Sequence, residues 1–262
     1  MVERYPLKVL VVGSSPTQLT NFRAMDSCNL PCGLGVLGKG RLINSNYMSR
    51  ENGQDINKSI ELTEARKYLV DLVPQAGEIL RRYFTSRDFT QRSKGGVDFT
   101  TQADEEVDAF LVEQIKKQYP QTQFLTEETA PADYSSLKNV SDLWVIDPLD
   151  GTTNFSRHHS NFAISIGLVD KGVPRLGVVH VPMTGDTYWA QADTEGAFLN
   201  GEPLQVSPTD DLGASVIACD WAWGLEKRLN VVRWLGNINT HVRAINLWEA
   251  LFLILQALLR GR

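Results

Sequence analysis

From Glu61 onward the apolar positions fall into stripes. Leu62, Ala65, Leu69, Leu72, Val73, Ala76, Ile79, Leu80 and Phe84 recur three or four residues apart. That spacing predicts a long amphipathic helix, with a kink expected near Pro74. A second stripe, Val107, Phe110, Leu111 and Ile115, predicts a helix over residues 103–119. Asp104, Glu105 and Glu106 fall in its first turn, where negative charge suits the helix dipole, and for Glu105 and Glu106 the dipole is explanation enough. Between the two helices, Phe99 to Thr101 favours extended structure. Gln123 to Leu125 reads as a short strand running into Thr126-Glu127-Glu128-Thr129. Taken alone, those paired glutamates read as a solvated turn.

Further on the period changes. Leu143 to Ile146 is a short buried strand, and residues 161–169, 175–181, 187–190 and 196–199 read as strands. They are separated by turns at Lys171-Gly172, Pro182-Met183-Thr184-Gly185 and Asn200-Gly201. Closely spaced strands after two helices predict an antiparallel sheet with helices on one side, an α+β fold and not a βαβ repeat. Residues 215–218 then read as a strand and 226–235 as a helix. Residues 247–259 are apolar nearly all round. They are too short to span a bilayer, and as a helix they need burial on several sides.

The first sixty residues resist this reading and are treated as an N-terminal extension without an assigned role. Residues 8–13 read as a strand ending at a Gly. Gly33-Leu34-Gly35-Val36-Leu37-Gly38 matches G-x-G-x-x-G, but dinucleotide binding needs a strand directly before it and a helix directly after. Asn29-Leu30-Pro31-Cys32 and Lys39-Gly40-Arg41 stand there instead, which reads as a flexible Gly-rich segment. Residues 44–59 are polar and turn-rich, like a linker. The expected organisation is therefore residues 1–60, an α+β unit over 61–205, and the start of a C-terminal α/β unit over 206–262.

Composition narrows the partners. A net charge of −5 argues against nucleic acid or an anionic membrane, although a bound cation would still let an acidic protein take a phosphorylated substrate. The three cysteines, Cys28, Cys32 and Cys219, suggest no disulfide framework and fit a reducing cytoplasm. Cys28 and Cys32 have no second pair to complete a zinc site. No stretch has the order of a signal peptide.

The chemistry concentrates in Trp144-Val145-Ile146-Asp147-Pro148-Leu149-Asp150-Gly151-Thr152-Thr153-Asn154-Phe155. An apolar strand ends in two carboxylates, then a Gly-Thr-Thr turn. Pro148 holds Asp147 extended, so both carboxylates can point to one spot. Carboxylates so aimed repel, and a hard cation such as Mg²⁺ is the usual compensation. Gly151 lets its backbone N–H approach an anion. Thr152 and Thr153 are good N-cap residues, and a helix start after them would bind phosphate. A plain Asp-Pro loop with a solvated carboxylate is the bland alternative. His158 and His159 follow; they could touch the substrate, but a place at the surface or behind the ligands is the preferred reading.

Three stretches together resemble the inositol monophosphatase family of Mg²⁺-dependent, lithium-sensitive phosphatases. They are Lys94…Asp98…Thr101…Asp104, then Glu127-Glu128, then Asp147-Pro-Leu-Asp150-Gly-Thr-Thr-Asn-Phe. The resemblance covers residues 61 to 245 and implies a layered αβαβα sugar-phosphatase fold. It implies that Glu127, Asp147 and the Leu149 carbonyl hold one Mg²⁺, and that Asp147 and Asp150 share a second. Asp104 and Thr152 would activate the attacking water. Gly151, Thr152 and Thr153 would hold the substrate phosphate. The implied reaction is hydrolysis of a small phosphorylated polyol or sugar, inositol 1-phosphate first, in a cytoplasmic protein with room for a homodimer. Thr153-Asn154-Phe155 resembles the inositol monophosphatase branch. Fructose 1,6-bisphosphate, histidinol phosphate and 3′-phosphoadenosine 5′-phosphate stay open as substrates.

The sequence also departs from the family pattern. A distal Trp-Asp-x-Ala-Ala-Gly motif, whose Asp is a ligand to the second metal, is absent, and Ala244-Ile-Asn-Leu-Trp-Glu stands where a Gly-Ser-Ala-Ala run is expected. Cys219-Asp220-Trp221-Ala222-Trp223-Gly224 is a lookalike placed too close to Asp147. The preferred expectation is a truncated or frame-shifted C-terminus that leaves the second unit incomplete. The function then divides into an active phosphomonoesterase, an impaired member that binds without turnover, and a nucleotide-binding or interaction protein organised by residues 1–40.

Overall fold

The computed structural model describes residues 9–10, 60–95, 98–129, 137, 139–205, 207, 209–219 and 225–247. The Gly-rich segment, the linker, the lookalike at residues 220–224 and the apolar stretch from Trp248 lie outside them. Of the strand expected over residues 8–13, Val9–Leu10 is described and forms β1.

The long stripe forms α1, Leu62–Ser86. Glu61 caps it, its carboxylate accepting from the backbone N–H groups of Thr63 at 3.1 Å and Glu64 at 2.6 Å. The helix stops at Arg87, which takes the left-handed conformation with φ 58°. Pro74 lies inside it, and the helix continues through that residue as one element. The neighbouring Gln75 side chain donates to the Asp71 carbonyl at 2.9 Å. The second stripe forms α2, Gln102–Gln118.

Two strands lie between these helices: β2, Gln91–Gly95, and β3, Asp98–Thr101, paired antiparallel. The polar run Gln91-Arg92-Ser93-Lys94 carries no alternation of apolar residues, so β2 escapes a reading by period. Backbone pairing to β3 is what orders it.

The main sheet has seven strands among the described residues, in the order β10-β9-β8-β7-β6-β5-β4. These are β4 Gln123–Thr126, β5 Leu143–Asp150, β6 Ala163–Asp170, β7 Val173–Val181, β8 Asp186–Gln191, β9 Phe198–Leu199 and β10 Glu202–Pro203. All neighbours are antiparallel except β4 and β5, which are parallel. The expected antiparallel sheet is therefore mixed at one edge. Its hairpins turn where Gly or Asn allows positive φ; Asn200 at 51° and Gly201 at 88° suit a tight hairpin between β9 and β10.

Helices α1 and α2 cover one face of this sheet. Leu69, Leu80 and Leu111 from the helices, and Trp144, Ile164, Ile166 and Val178 from the strands, are buried in a common core. A smaller apolar group, Ala163, Val181 and Tyr188, forms apart from it. A second sheet joins β1, β11 (Val216–Cys219) and β12 (Ala244–Leu247). Helix α4, Leu225–Ile238, links β11 to the parallel β12. β12 comes from the residues that depart from the family pattern, and no strand is read there from sequence. Pairing to β11 makes it one. The architecture is α+β, with helices layered on a largely antiparallel sheet.

Helix α1 lies against the sheet at Gly77, beside His180. A Cβ built there would lie 2.7 Å from Nε2 and 2.8 Å from Cδ2 of His180 on β7. That ring is 3% exposed, and its Nδ1 is hydrogen-bonded to the Thr187 hydroxyl at 2.9 Å, so it has little freedom to withdraw. Alanine ordinarily gains about 1 kcal/mol over glycine inside a helix, whereas overpacking a core costs about 1–3 kcal/mol. Gly77→Ala is expected to destabilise the protein by up to about 2 kcal/mol, the difference of those terms, read as a lower urea midpoint. A midpoint at or above the parent's would show that the ring yields freely.

Candidate functional site

The strand that carries the signature does not stop at Ile146. β5 runs on to Asp150, so both carboxylates stand on the strand and not in a turn after it. In an unbroken strand, residues three apart face opposite sides. Here the pairing with β6 steps from Asp147↔Ser165 to Asp150↔Ala163, three residues against two. The extra residue is a β-bulge. Its effect shows in the burial, where Trp144, Ile146 and Pro148 alternate with half-buried residues and Leu149 is then buried directly after Pro148, in the core with Trp144 and Ile146. Asp147 and Asp150 are thereby returned to the same side. Pro148 suits such a bulge because it has no N–H to leave unpaired.

The parallel pairing supplies the third carboxylate. Thr126 pairs with Ile146, so the next residues, Glu127 just past the end of β4 and Asp147 within β5, stand side by side. Glu127 opens a short 3-10 turn, Glu127–Thr129. The Asp147 carboxyl is raised well above the usual carboxylate range by burial, then by the charges of Asp150 and Glu127. The Leu149 N–H donates to its Oδ1 at 3.1 Å, which works the other way.

Lys94 on β2 answers part of this charge. Its ammonium donates to Glu128 at 2.8 Å and to Glu127 at 3.3 Å. Burial works to lower its pKa, but the bond to Glu128 and the two carboxylate charges outweigh that and leave it raised. Asp108 on α2, 8% exposed, takes the Thr126 hydroxyl on Oδ2 at 3.3 Å. Its Oδ1 is buried without a hydrogen-bond partner among the described residues.

Asp104 sits at the start of α2, 2% exposed. Its Oδ2 accepts from the Thr101 N–H at 3.0 Å and the Thr101 hydroxyl at 2.5 Å. Its Oδ1 accepts from the Thr152 hydroxyl at 3.2 Å. Burial pushes the Asp104 carboxyl up to about 7; the bonds from Thr101 pull it down, and Glu128 and Glu127 push it up again. Thr152 opens α3, Thr152–Ser156, and its hydroxyl also lies 3.1 Å from the Leu149 carbonyl. The expected capping role of Thr152 and Thr153 is corrected here. Gly151 is the N-cap, at φ 96°, a conformation costly for any residue with a Cβ, and no side chain caps the helix. Phe155 anchors the turn from below, packed on Phe84, Phe89 and Phe162. His158 packs edge-on to Phe84, and His159 is exposed.

The structure thus brings Asp104, Glu127, Asp147, Leu149, Asp150, Gly151, Thr152 and Thr153 to one end of the main sheet. Glu105 and Glu106 stand aside, paired with Arg92 and Arg82. Sequence reasoning gave no role to Thr101, Lys94, Glu128, Asp108 or Thr126, although the first three stood inside the quoted motifs. The signal for Thr101 was available: a Thr three residues before an acid at a helix start is a capping box.

The donor set is hard oxygen throughout, with more negative charge than Lys94 can balance, which fits Mg²⁺ better than a soft or nitrogen-seeking metal. The carboxylates converge without closing into a cage. Among the described residues, no three His, Cys, Asp or Glu side chains are already arranged to hold an ion.

Comparisons with known proteins agree with this architecture. The model of the inositol monophosphatase family matches residues 61–245. An inositol monophosphatase of Mesembryanthemum crystallinum is 35% identical over 154 residues, 59% of this chain and 56% of that protein. A fructose-1,6-bisphosphatase/inositol-1-monophosphatase of Thermotoga maritima is 31% identical over 182 residues, 65% of this chain and 67% of that one. The crystal structure of extragenic suppressor protein suhB from Bartonella henselae superposes with a TM-score of 0.67 at 27% identity, covering 74% of each chain. The chain therefore spans little more than half the length of the first of these curated relatives.

A buried acid at this position acts against stability. The Asp104 carboxyl has a native pKa of about 7 against an ordinary 3.8, so the native state binds the extra proton between those values. Its stabilising effect is complete below pH 3.8 and is lost as pH rises through 7. In the absence of metal, Asp104→Asn is expected to stabilise the protein at pH 8 by on the order of 1–3 kcal/mol and to leave it unchanged near pH 4. Urea unfolding of both proteins in EDTA at the two pH values measures the difference; equal midpoints at pH 8 would rule out a buried charge at this position.

Proposed function

Because the chain belongs to the inositol monophosphatase family, we propose that it hydrolyses a small phosphate monoester, inositol 1-phosphate first, with Mg²⁺ as cofactor. The observation that carries this reading is the bulge in β5, which sets Asp147 and Asp150 on one side beside Glu127. The Asp104–Thr152 hydrogen bond lies at the same end of the sheet. The names of the relatives span inositol monophosphatase and fructose-1,6-bisphosphatase, so fructose 1,6-bisphosphate is the second substrate to assay. We place the metal-binding phosphatase unit over residues 61–205, in a cytoplasmic protein that acts on small molecules. Lithium sensitivity and a homodimer belong to the same proposal.

In this reading Glu127, Asp147 and the Leu149 carbonyl would hold one Mg²⁺, and Asp147 and Asp150 would supply oxygens for a second. When bound, the ions neutralise the charge of the phosphoryl oxygens and make water more acidic. The rest falls to the chain's own groups. Backbone N–H groups of Gly151, Thr152 and Thr153, at the start of α3, donate to the phosphate oxygens. The absence of a Cβ at Gly151 leaves room for that approach. The Thr152 hydroxyl takes a proton from the attacking water while passing its own to Asp104. A carboxyl with a native pKa near 7 is a suitable acceptor at neutral pH. The water oxygen bonds to phosphorus, the bond from phosphorus to the ester oxygen breaks, and that oxygen is protonated from solvent. The products are the free alcohol and inorganic phosphate.

Phosphate release from inositol 1-phosphate is expected to require Mg²⁺, to cease in EDTA, and to be inhibited by Li⁺. Asp147→Asn should lower kcat by about 10³ or more. No Mg²⁺-dependent release above the Asp147→Asn background, from either inositol 1-phosphate or fructose 1,6-bisphosphate, would sink the proposal.

A further inference from the structure

Thr101 does more at the start of α2 than a helix cap requires. Its hydroxyl oxygen accepts from the Ala103 N–H at 3.2 Å, the ordinary capping bond. In a capping box the acid at the third helical position reaches back to the cap's N–H. Here that acid is Asp104, and a single oxygen, Oδ2, receives both the Thr101 N–H at 3.0 Å and the Thr101 O–H at 2.5 Å. A hydroxyl has one hydrogen to give, so the Thr101 O–H is committed to Oδ2 while its lone pair is committed to Ala103. Both residues are buried, Thr101 at 1% and Asp104 at 2% exposure, which leaves water little room to substitute.

Two donors on Oδ2 leave no room for a proton there. Any proton the carboxyl takes up must ride on Oδ1, the oxygen that faces Thr152 at 3.2 Å. Thr152 also has one hydrogen and two acceptors, Oδ1 of Asp104 and the Leu149 carbonyl at 3.1 Å. A charged oxygen is the stronger acceptor, so an Asp104 ionised and turned this way draws the Thr152 hydrogen to itself.

We infer that Thr101 is a positioning residue that dedicates Oδ2 of Asp104 to anchoring and reserves Oδ1 for proton exchange with Thr152. The inference rests on the proposed role of the Asp104–Thr152 pair. The exchange balances: Thr152 gives its hydrogen to Oδ1 as it takes one from the attacking water, and Asp104 later returns its proton to solvent. Glu127 and Glu128, in the turn after β4, are the charged groups that act on Asp104 from an adjoining element. They are present alike in the variants below.

The test compares Thr101→Val, which keeps the shape without the hydroxyl, with Thr101→Ser, which keeps the hydroxyl. Thr101→Cys, a weak donor, stands in if the valine variant does not fold. Two readouts are taken: kcat and KM for inositol 1-phosphate across pH 5.5–9 at saturating Mg²⁺, and carboxyl ¹³C titration of Asp104 in the metal-free protein. Thr101→Val is expected to lower kcat by about 10- to 100-fold, in the range of lost proton-transfer assistance. KM should stay within about twofold, because phosphate binding is untouched. The midpoint of the Asp104 carboxyl titration should move to higher pH, and Thr101→Ser should restore both. An unmoved titration midpoint in a folded Thr101→Val protein overturns the inference, as does a serine variant no better than valine. If the parent chain releases no phosphate, the proposed function fails, and the titration, which needs no turnover, still decides the role of Thr101.

Discussion

One extra residue in β5 governs the site. Without it, Asp147 and Asp150 would stand on opposite faces of the sheet, and Leu149 would leave the core. With it, the β5–β6 register shifts by one, Leu149 packs with Trp144 and Ile146, and both carboxylates come to the same side. The arrangement is held from below: turning Asp150 away would also pull a buried leucine out of the core, a change worth a few kcal/mol on the scale of large core substitutions, roughly 2–5 kcal/mol. The apolar face of the strand thus enforces a polar geometry that repulsion alone would open.

The parallel edge of the sheet works with the bulge. β4 and β5 are the only parallel neighbours among the described strands of the main sheet, and that pairing sets Glu127 beside Asp147. The third contribution, Asp104, comes from the start of α2, which is docked on the sheet through Val107, Leu111 and Ile115. Three local devices therefore meet at one end: a bulge, a parallel strand end and a capped helix start. Each is rigid for reasons unrelated to chemistry, which suits a site that must hold like charges together.

The concentration of negative charge sets stability against function. Asp104 and Asp147 are both raised by burial first, so in the metal-free chain each is strained when ionised. Lys94 relieves Glu127 and Glu128, while burial and the neighbouring charges of Asp150 and Glu127 still raise Asp147. A hard divalent cation would relieve that strain on binding, so metal affinity and folding stability are linked here.

By itself the sequence determined the helices α1 and α2, the strands of the antiparallel hairpins and the chemical character of residues 144–155. These are carried by local signals: apolar period, turn residues and a dense motif. It placed the carboxylates correctly in the chain but ascribed their convergence to Pro148 and ended the strand at Ile146. A bulge is invisible to periodicity, because it exists only relative to the partner strand. For the same reason β2 and β12 went unread; the first is polar, the second sits in residues that depart from the family pattern, and both are strands because a neighbour pairs with them. The N-cap was assigned to threonine by propensity, yet the backbone turns left-handed at Gly151, where a Cβ would be strained. The roles of Thr101, Lys94 and Asp108 also waited for the fold. Whether an acid is buried, which of its oxygens is occupied and which base lies beside it depend on residues far away in the chain, and only tertiary packing brings those together.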